Sequence, residues 1–335
     1  MTIEKEQTPK RNNQFLSYFG IFRRSHNASL LVTVILFIVA ILFPLSFGPH
    51  DQTALAQYGI YLMWITLAES WNLIGGYANL INLGMGAFFG TGIVLTSIFM
   101  FAGLSFPIAM LLSGFAGSGL ALLLTPTFRL RSDYFAIGSL VIPFILRPIV
   151  EYLAGKTSFD LPTGTSFNPT QFYYLGLAMT GAAIFGIFWL MRSRVGIALR
   201  SIGDDEVAAA ATGVNVLQSK MIALMISGFI ASVAGAYYLG ILGAANTGIF
   251  DDLTYSLFPA FMVVIGGIGT FEGPIVGALL FSAVSYGTVI YFQGTSFEVP
   301  VFSAMIMVVA VLLPRGIIPT LRRNWHRFSR RNKKK

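Results

Sequence analysis

Apolar residues run through this chain in long blocks separated by short polar connections. The blocks cover about residues 29–47, 54–74, 83–103, 105–127, 134–150, 171–191, 220–242, 257–268, 274–292 and 299–314. A helix needs about 20 predominantly apolar residues to cross a hydrocarbon core. The pattern therefore predicts an all-α polytopic membrane protein with about ten transmembrane helices, of which the eighth is short. The first block is too long for the core of a signal peptide and no small-residue cleavage site follows it, so it reads as a retained helix. The expected organisation is a cytoplasmic N-terminal segment over 1–28, a transmembrane domain over 29–314 and a basic cytoplasmic tail over 315–335.

Charge supplies the orientation. Short loops rich in Lys and Arg stay in the cytoplasm. With the N-terminus inside, every basic residue except Arg147 and Lys156 falls on that side. Both termini are then cytoplasmic, as an even helix count requires. The 335 residues are 55% apolar and 11% charged, where a soluble domain carries about 25% charged residues. Disordered, fibrous and ordinary soluble classes are excluded. The net charge of +8 reads as topogenic and as attraction to anionic lipid headgroups, not as a nucleic-acid surface. Absence of cysteine removes disulfides and thiolate chemistry, and His26, His50 and His326 are too scattered for a metal site. Trp64, Trp71, Tyr173, Tyr174 and Trp325 lie near block ends and are expected as interface anchors.

Glycine and buried polar residues carry the next signal. Two runs share the spacing G-x-G-x-x-x-G: Gly84, Gly86, Gly90 and Gly267, Gly269, Gly273. Such runs serve close helix packing or mark breaks where unwound backbone lines a pathway. Gly75, Gly76, Asn79 and Asn82 before the first run, and Pro274 in the second, favour breaks. Glu69 is a carboxylate inside an apolar block, with Asn72 one turn on. It is read either as a pathway residue or as a partner for a neighbouring helix end. Glu69, Asn72, Asn82, Gly84, Gly86 and Gly90 are the candidate translocation path. Arg147 and Glu151 are spaced for an i,i+4 ion pair, and the external acids Asp160, Asp251 and Asp252 read as solvated loop charges. Sliding the chain by 173 residues aligns Gly75 with Gly248, Leu80 with Leu253, Ala87 with Ala260 and Phe88 with Phe261, the sense expected of an inverted repeat. Gly155-Lys156-Thr157 is not a phosphate loop, because Val150 stands where the motif needs glycine. No catalytic cluster of acid, base and nucleophile is present, which argues against an enzyme such as a membrane-embedded transferase.

The most polar internal segment, 192–219, contains Arg200, Gly203, Asp204, Asp205, Glu206, a run of alanines and Gly213. Acids suit a helix N-terminus, alanine has high helix propensity and glycine closes a helix. The expectation is one short helix from Gly203 to Gly213, lying on this protein's own helix ends or entering a cleft on another protein.

The stretch Gly196-Ile197-Ala198-Leu199-Arg200, followed by Asp204, Asp205, Glu206, Ala209 and Gly213, resembles the cytoplasmic loop of the LivM-type permeases of branched-chain amino-acid ABC importers. Gly76-Tyr77-Ala78 with Leu83-Gly84 and Gly86 to Gly90, Asp133-Tyr134-Phe135-Ala136-Ile137, and Gly266 to Thr270 with Gly273-Pro274 resemble further motifs of that family, in the same order. Asn79, Asn82, Met85 and Ser132 depart from its usual residues, three of them in or near the candidate path.

The resemblance implies a permease of the inner (cytoplasmic) membrane, paired with a second, related permease, two cytoplasmic ATPases and an external binding protein. It implies no cofactor of its own, since ATP would be bound by the partners. It casts Arg200, Gly203, Asp204, Asp205, Glu206, Ala209 and Gly213 as the coupling helix in an ATPase cleft, with Ala209 and Gly213 giving close approach. Branched-chain amino acids are the first expected cargo, followed by other amino acids or amides and then urea. The residues alone also admit an ion-coupled carrier with Glu69 as its cation or proton site, a reading the docking-type loop argues against.

Overall fold

A computed structural model describes residues 52–129, 132–165, 167–292 and 316–323, with single positions at 300, 304 and 307. The expected helix at 29–47, nearly all of the one at 299–314, and most of both terminal segments lie outside the described residues. What is described is mainly helical, with one small two-stranded sheet. The helices are α1 (Gln52–Trp71), α2 (Met85–Phe101), α3 (Phe106–Leu123), α4 (Ser132–Ala154), α5 (Pro169–Leu190), α6 (Arg194–Asp204), α7 (Glu206–Ala211), α8 (Val216–Leu242), α9 (Gly248–Asp251), α10 (Leu253–Gly266) and α11 (Gly273–Phe292). A π-helical turn (Asn72–Gly76) follows α1, and strands β1 (Ser158–Asp160) and β2 (Ala244–Asn246), distant in the chain, form the sheet. Among these residues α3, α5, α8 and, within α4, Tyr134–Ala154 are long and apolar enough to cross a membrane; α2 and α10 are apolar but shorter.

Pairing between distant connections fixes which loops share an end. β1 runs antiparallel to β2, with Phe159 opposite Ala245. Ser97 Oγ donates to the Asp160 carbonyl at 2.7 Å. The α2–α3, α4–α5 and α8–α10 connections therefore meet at one end. At the opposite end the break after α1 touches the α10–α11 connection, through Asn72 Nδ2 donating to the Thr270 carbonyl at 3.0 Å. The same break carries α6, whose Gly203 lies against the Tyr77 carbonyl.

The core is built on α8, which lies against α1, α2 and α3. Its packing is backbone to backbone: a Cβ added to Gly92 of α2 would run into the Ser232 carbonyl, and one on Gly235 of α8 into the Phe89 carbonyl. Small residues allow this approach, which lipid-exposed side chains cannot replace. Hydroxyls tie the seam without leaving polar atoms unpaired in an apolar medium. Ser70 Oγ donates to the Ser227 carbonyl at 2.7 Å, Ser232 Oγ to the Phe88 carbonyl at 2.7 Å, and the Thr66 and Thr180 hydroxyls lie 3.0 Å apart.

Trp64 and Trp71 are not interface anchors. Trp64 is buried and stacks on Tyr255, centroids 5.6 Å apart, while Phe89 stacks on the other face of Tyr255 at 4.6 Å. Trp71 donates its indole N–H to the Asn82 carbonyl at 2.6 Å. Their spacing along the chain matched a block end, but the helix continues through a π turn and keeps them inside. Helix α4 is the opposite case. Ile137, Phe144, Ile145, Tyr152 and Leu153 are exposed, and Pro143 and Pro148 sit within it.

Candidate functional site

Two regions at one end of the bundle hold the residues singled out by sequence. The first is the break between α1 and α2. After Trp71 the helix widens into the π turn, held by the Tyr77 N–H donating to the Asn72 carbonyl at 3.0 Å. The backbone is then non-helical to Gly84. Asn79 turns the chain with φ +52°, a left-handed conformation that asparagine tolerates better than most residues.

Asn72 is fully buried and binds the facing connection twice, as donor to Thr270 and as acceptor of the Gly269 N–H at 3.0 Å. That facing connection is a break too: Gly267 and Gly269 have φ of +131° and +67°. A single asparagine side chain thus pins one unwound segment to another. Asn82 is buried, accepting the Gly84 N–H at 2.9 Å and donating to Met85 Sδ at 3.4 Å.

The two glycine runs share a spacing but not a role. Gly84 stands at the edge of its break, against the Ser139 carbonyl. Gly86 and Gly90 lie inside α2, where added Cβ atoms would sit 2.8 Å from Ser256 Oγ and 2.6 Å from the Phe250 ring. These two serve helix packing.

Glu69 is completely buried near the end of α1, and neither carboxylate oxygen has a hydrogen-bond partner among the described residues. Glu272 lies near enough to interact with it electrostatically. Glu272 is itself taken up by Arg322, whose Nη2 reaches both of its oxygens at 2.7 Å.

The second region is the segment after α5. The expected single helix is two. Helix α6 presses Leu199 and Ile202 inward, with Leu199 packed among Leu73, Tyr77, Ile187 and Ala223. Arg200 holds its guanidinium 5.9 Å from the centre of the Tyr77 ring. Asp204 ends α6 instead of opening the next helix. Asp205, in extended conformation, caps α7 by accepting the N–H groups of Val207 and Ala208, each at 2.9 Å. An acid at the cap satisfies two orphan donors, which is why the chain breaks there. Only Glu206 occupies the first turn. Gly213, at φ +89°, closes the unit as expected.

Ala209 does not face outward. It is 4% exposed and packs against the protein's own helix ends, while Val207 is 79% exposed and Ala208, Ala210 and Ala211 are exposed beside it. Sequence reasoning missed Val207, the one bulky apolar residue in the acidic and alanine run. It also took Lys220 only as a loop charge, although its place one turn before Ala223 and Leu224 was a visible sign of an inward-facing position. Lys220 is buried, with Nζ 2.7 Å from Glu206 Oε2.

Beyond these regions, Arg147 pairs with Glu151 at 2.9 Å as the spacing indicated. It also holds Asp251, which is therefore tied to α4 and is not a simple solvated charge. Asp252 caps α10, accepting the Thr254 N–H at 2.9 Å. Lys156, in the false phosphate-loop triplet, lies over the rings of Phe101 and Phe159 at 5.2 and 4.7 Å.

Residues 54–312 match a family model described as branched-chain amino acid transport system / permease component. The chain is 26% identical to the high-affinity branched-chain amino acid transport system permease protein LivM of Escherichia coli K12, over 87% of this chain and 75% of that one. It is 22% identical to the probable branched-chain amino acid transport permease protein LivM of Methanocaldococcus jannaschii, over 69% of each. A shorter match, 26% identical, relates 43% of this chain to 35% of the xylose transport system permease protein XylH of Escherichia coli K12. No solved structure matches the chain.

Proposed function

The chain belongs to the family of permease components of branched-chain amino acid transport systems, and from that membership we propose that it is the membrane-spanning subunit of an ABC importer. Its cargo is a branched-chain or similar amino acid handed over by an external binding protein. Partner ATPases supply the energy, and a second, related permease completes the membrane unit. The matches favour this reading over the ion-coupled carrier based on Glu69.

The observation that carries the coupling role is the exposed crest of α7, Val207 with Ala208, Ala210 and Ala211, standing clear of the bundle on a capped helix. Its shape suits a cleft on an ATPase. Asp205 fixes the start of the crest and Gly213 its end, while Gly203 and Arg200 hold α6 on the first break. Closure of two ATPases moves these helices as rigid bodies and switches the path from inward-open to outward-open.

Ten spans with both termini in the cytoplasm of an inner-membrane protein follow from the basic loops. The alternation of connections between the two ends of the bundle supports this. An inverted repeat would relate residues 77–84 at one end to residues 250–257 at the other, 173 residues on, where α9 ends and α10 begins. In the path, the ends of the two breaks offer backbone dipoles to a zwitterion, and Glu69 sits beside them.

Purification from mild detergent, with identification of what accompanies the chain, tests the reading. An ATPase and a sister permease are expected to be retained. Val207→Trp should release the ATPase while the sister permease stays bound. Recovery of the chain alone, with uptake that survives ATP depletion, would overturn the proposal.

A further inference from the structure

Helix α7 has six residues and too few internal hydrogen bonds to stand alone. Whatever pushes on its exposed crest must be transmitted by its attachments. One attachment is apolar, the inward Ala209. Another is ionic and asymmetric. Lys220, on the first turns of α8, has a side chain only 7% exposed, and Glu206, at the start of α7, has one 54% exposed. A buried ammonium separated from its counter-ion is strongly disfavoured. Movement of Glu206 therefore carries Lys220, and α8, with it.

Where α8 leads matters as much. Two turns beyond Lys220, Ser227 accepts and donates hydrogen bonds with Ser70, the neighbour of Glu69 on α1. Gly228 lies 2.8 Å, measured from an added Cβ, from the Gly117 carbonyl of α3, and Ser232 bonds the Phe88 carbonyl of α2. A helix packed so closely on three others moves only with them.

We propose that Lys220 is the positioning residue that transmits movement of α7 to the helix core, its ion pair with Glu206 being the mechanical link between docked ATPase and path. The inference rests on the importer reading. It adds a residue buried within this chain, away from its exposed crest.

The test uses the complete complex in proteoliposomes, with leucine, isoleucine and valine as probes, and reads amino acid delivered per ATP hydrolysed. Lys220→Met is expected to retain the ATPase, and both it and Glu206→Gln to lower that ratio, read per ATPase bound, by about 5- to 150-fold, the span of ordinary coupling free energies. The double variant should be no worse than either single, because one link is broken in all three. Lys220→Arg should restore most of the ratio, which general loss of packing would not allow. A normal ratio in Lys220→Met, or defects that multiply in the double variant, would overturn the proposal. Should Lys220→Met fail to assemble, a lowered ratio in an assembled Lys220→Arg complex would overturn it too. A wild-type complex that retains its ATPase but takes up none of the three probes would overturn the cargo reading and leave the ion-pair link to be read from ATP hydrolysis, where Lys220→Met and Glu206→Gln must again be non-additive.

Discussion

Single side chains decide how this bundle closes at the end that carries α6 and α7. Asn72 supplies both a donor and an acceptor to backbone that has left the helix. Asn72→Leu would strand the Thr270 carbonyl and the Gly269 N–H, each at about 1–3 kcal/mol. A clearly lowered Tm in detergent is the expected result. Asn79 is the sensitive backbone position, at φ +52°. Asn79→Gly should be tolerated, while Asn79→Val should lose about 1–2 kcal/mol because a branched side chain resists that conformation; thermal unfolding of the two variants compares them directly. The sequence placed Asn79 at a break but did not show its left-handed turn, and the bonding role of Asn72 was not legible. The sequence marked Asn72 and Asn82 as polar residues at depth, but not that both are consumed by hydrogen bonds to the breaks.

At the scale of elements, periodicity and block length located the helices well because burial in an apolar medium requires continuous apolar runs. All eight blocks that fall within the described residues contain a helix at nearly the expected limits. What block length hides is contact. Gly84, Gly86 and Gly90 look identical in sequence to Gly267, Gly269 and Gly273, yet one run mostly packs and the other turns the chain. The difference lies in what faces them, Phe250 and Ser256 for the first run, Pro319 and the Gly76 carbonyl for the second, and this is a tertiary fact. The split between α6 and α7 was equally hidden, since three consecutive acids do not say which of them caps. Glycine contacts make a sharp comparison possible. Gly92→Leu must displace the Ser232 backbone, whereas at the exposed Gly186 on α5 an added Cβ meets nothing within 4 Å, leaving room for Gly186→Leu. The first variant is expected to abolish a monodisperse peak on gel filtration, and the second to leave it unchanged.

For the whole molecule, the two ends are built differently. One holds the breaks, the exposed crest of α7 and the Glu272–Arg322 pair; the other is closed by the small two-stranded sheet and by Arg147, which pairs with Glu151 on its own helix and ties α4 to Asp251. The small sheet also sets an order in time. Phe159 meets its partner Ala245 only after the intervening chain has been made. At about 5–20 residues per second, that interval is roughly 4–17 s of synthesis. During it β1 stands with an unpaired edge beside α4, and the end of the bundle it will close stays open. A ribosome stalled just before α8 should therefore leave Phe159, only 1% exposed in the finished protein, open to cleavage by chymotrypsin, so that the clock of translation is written into the architecture.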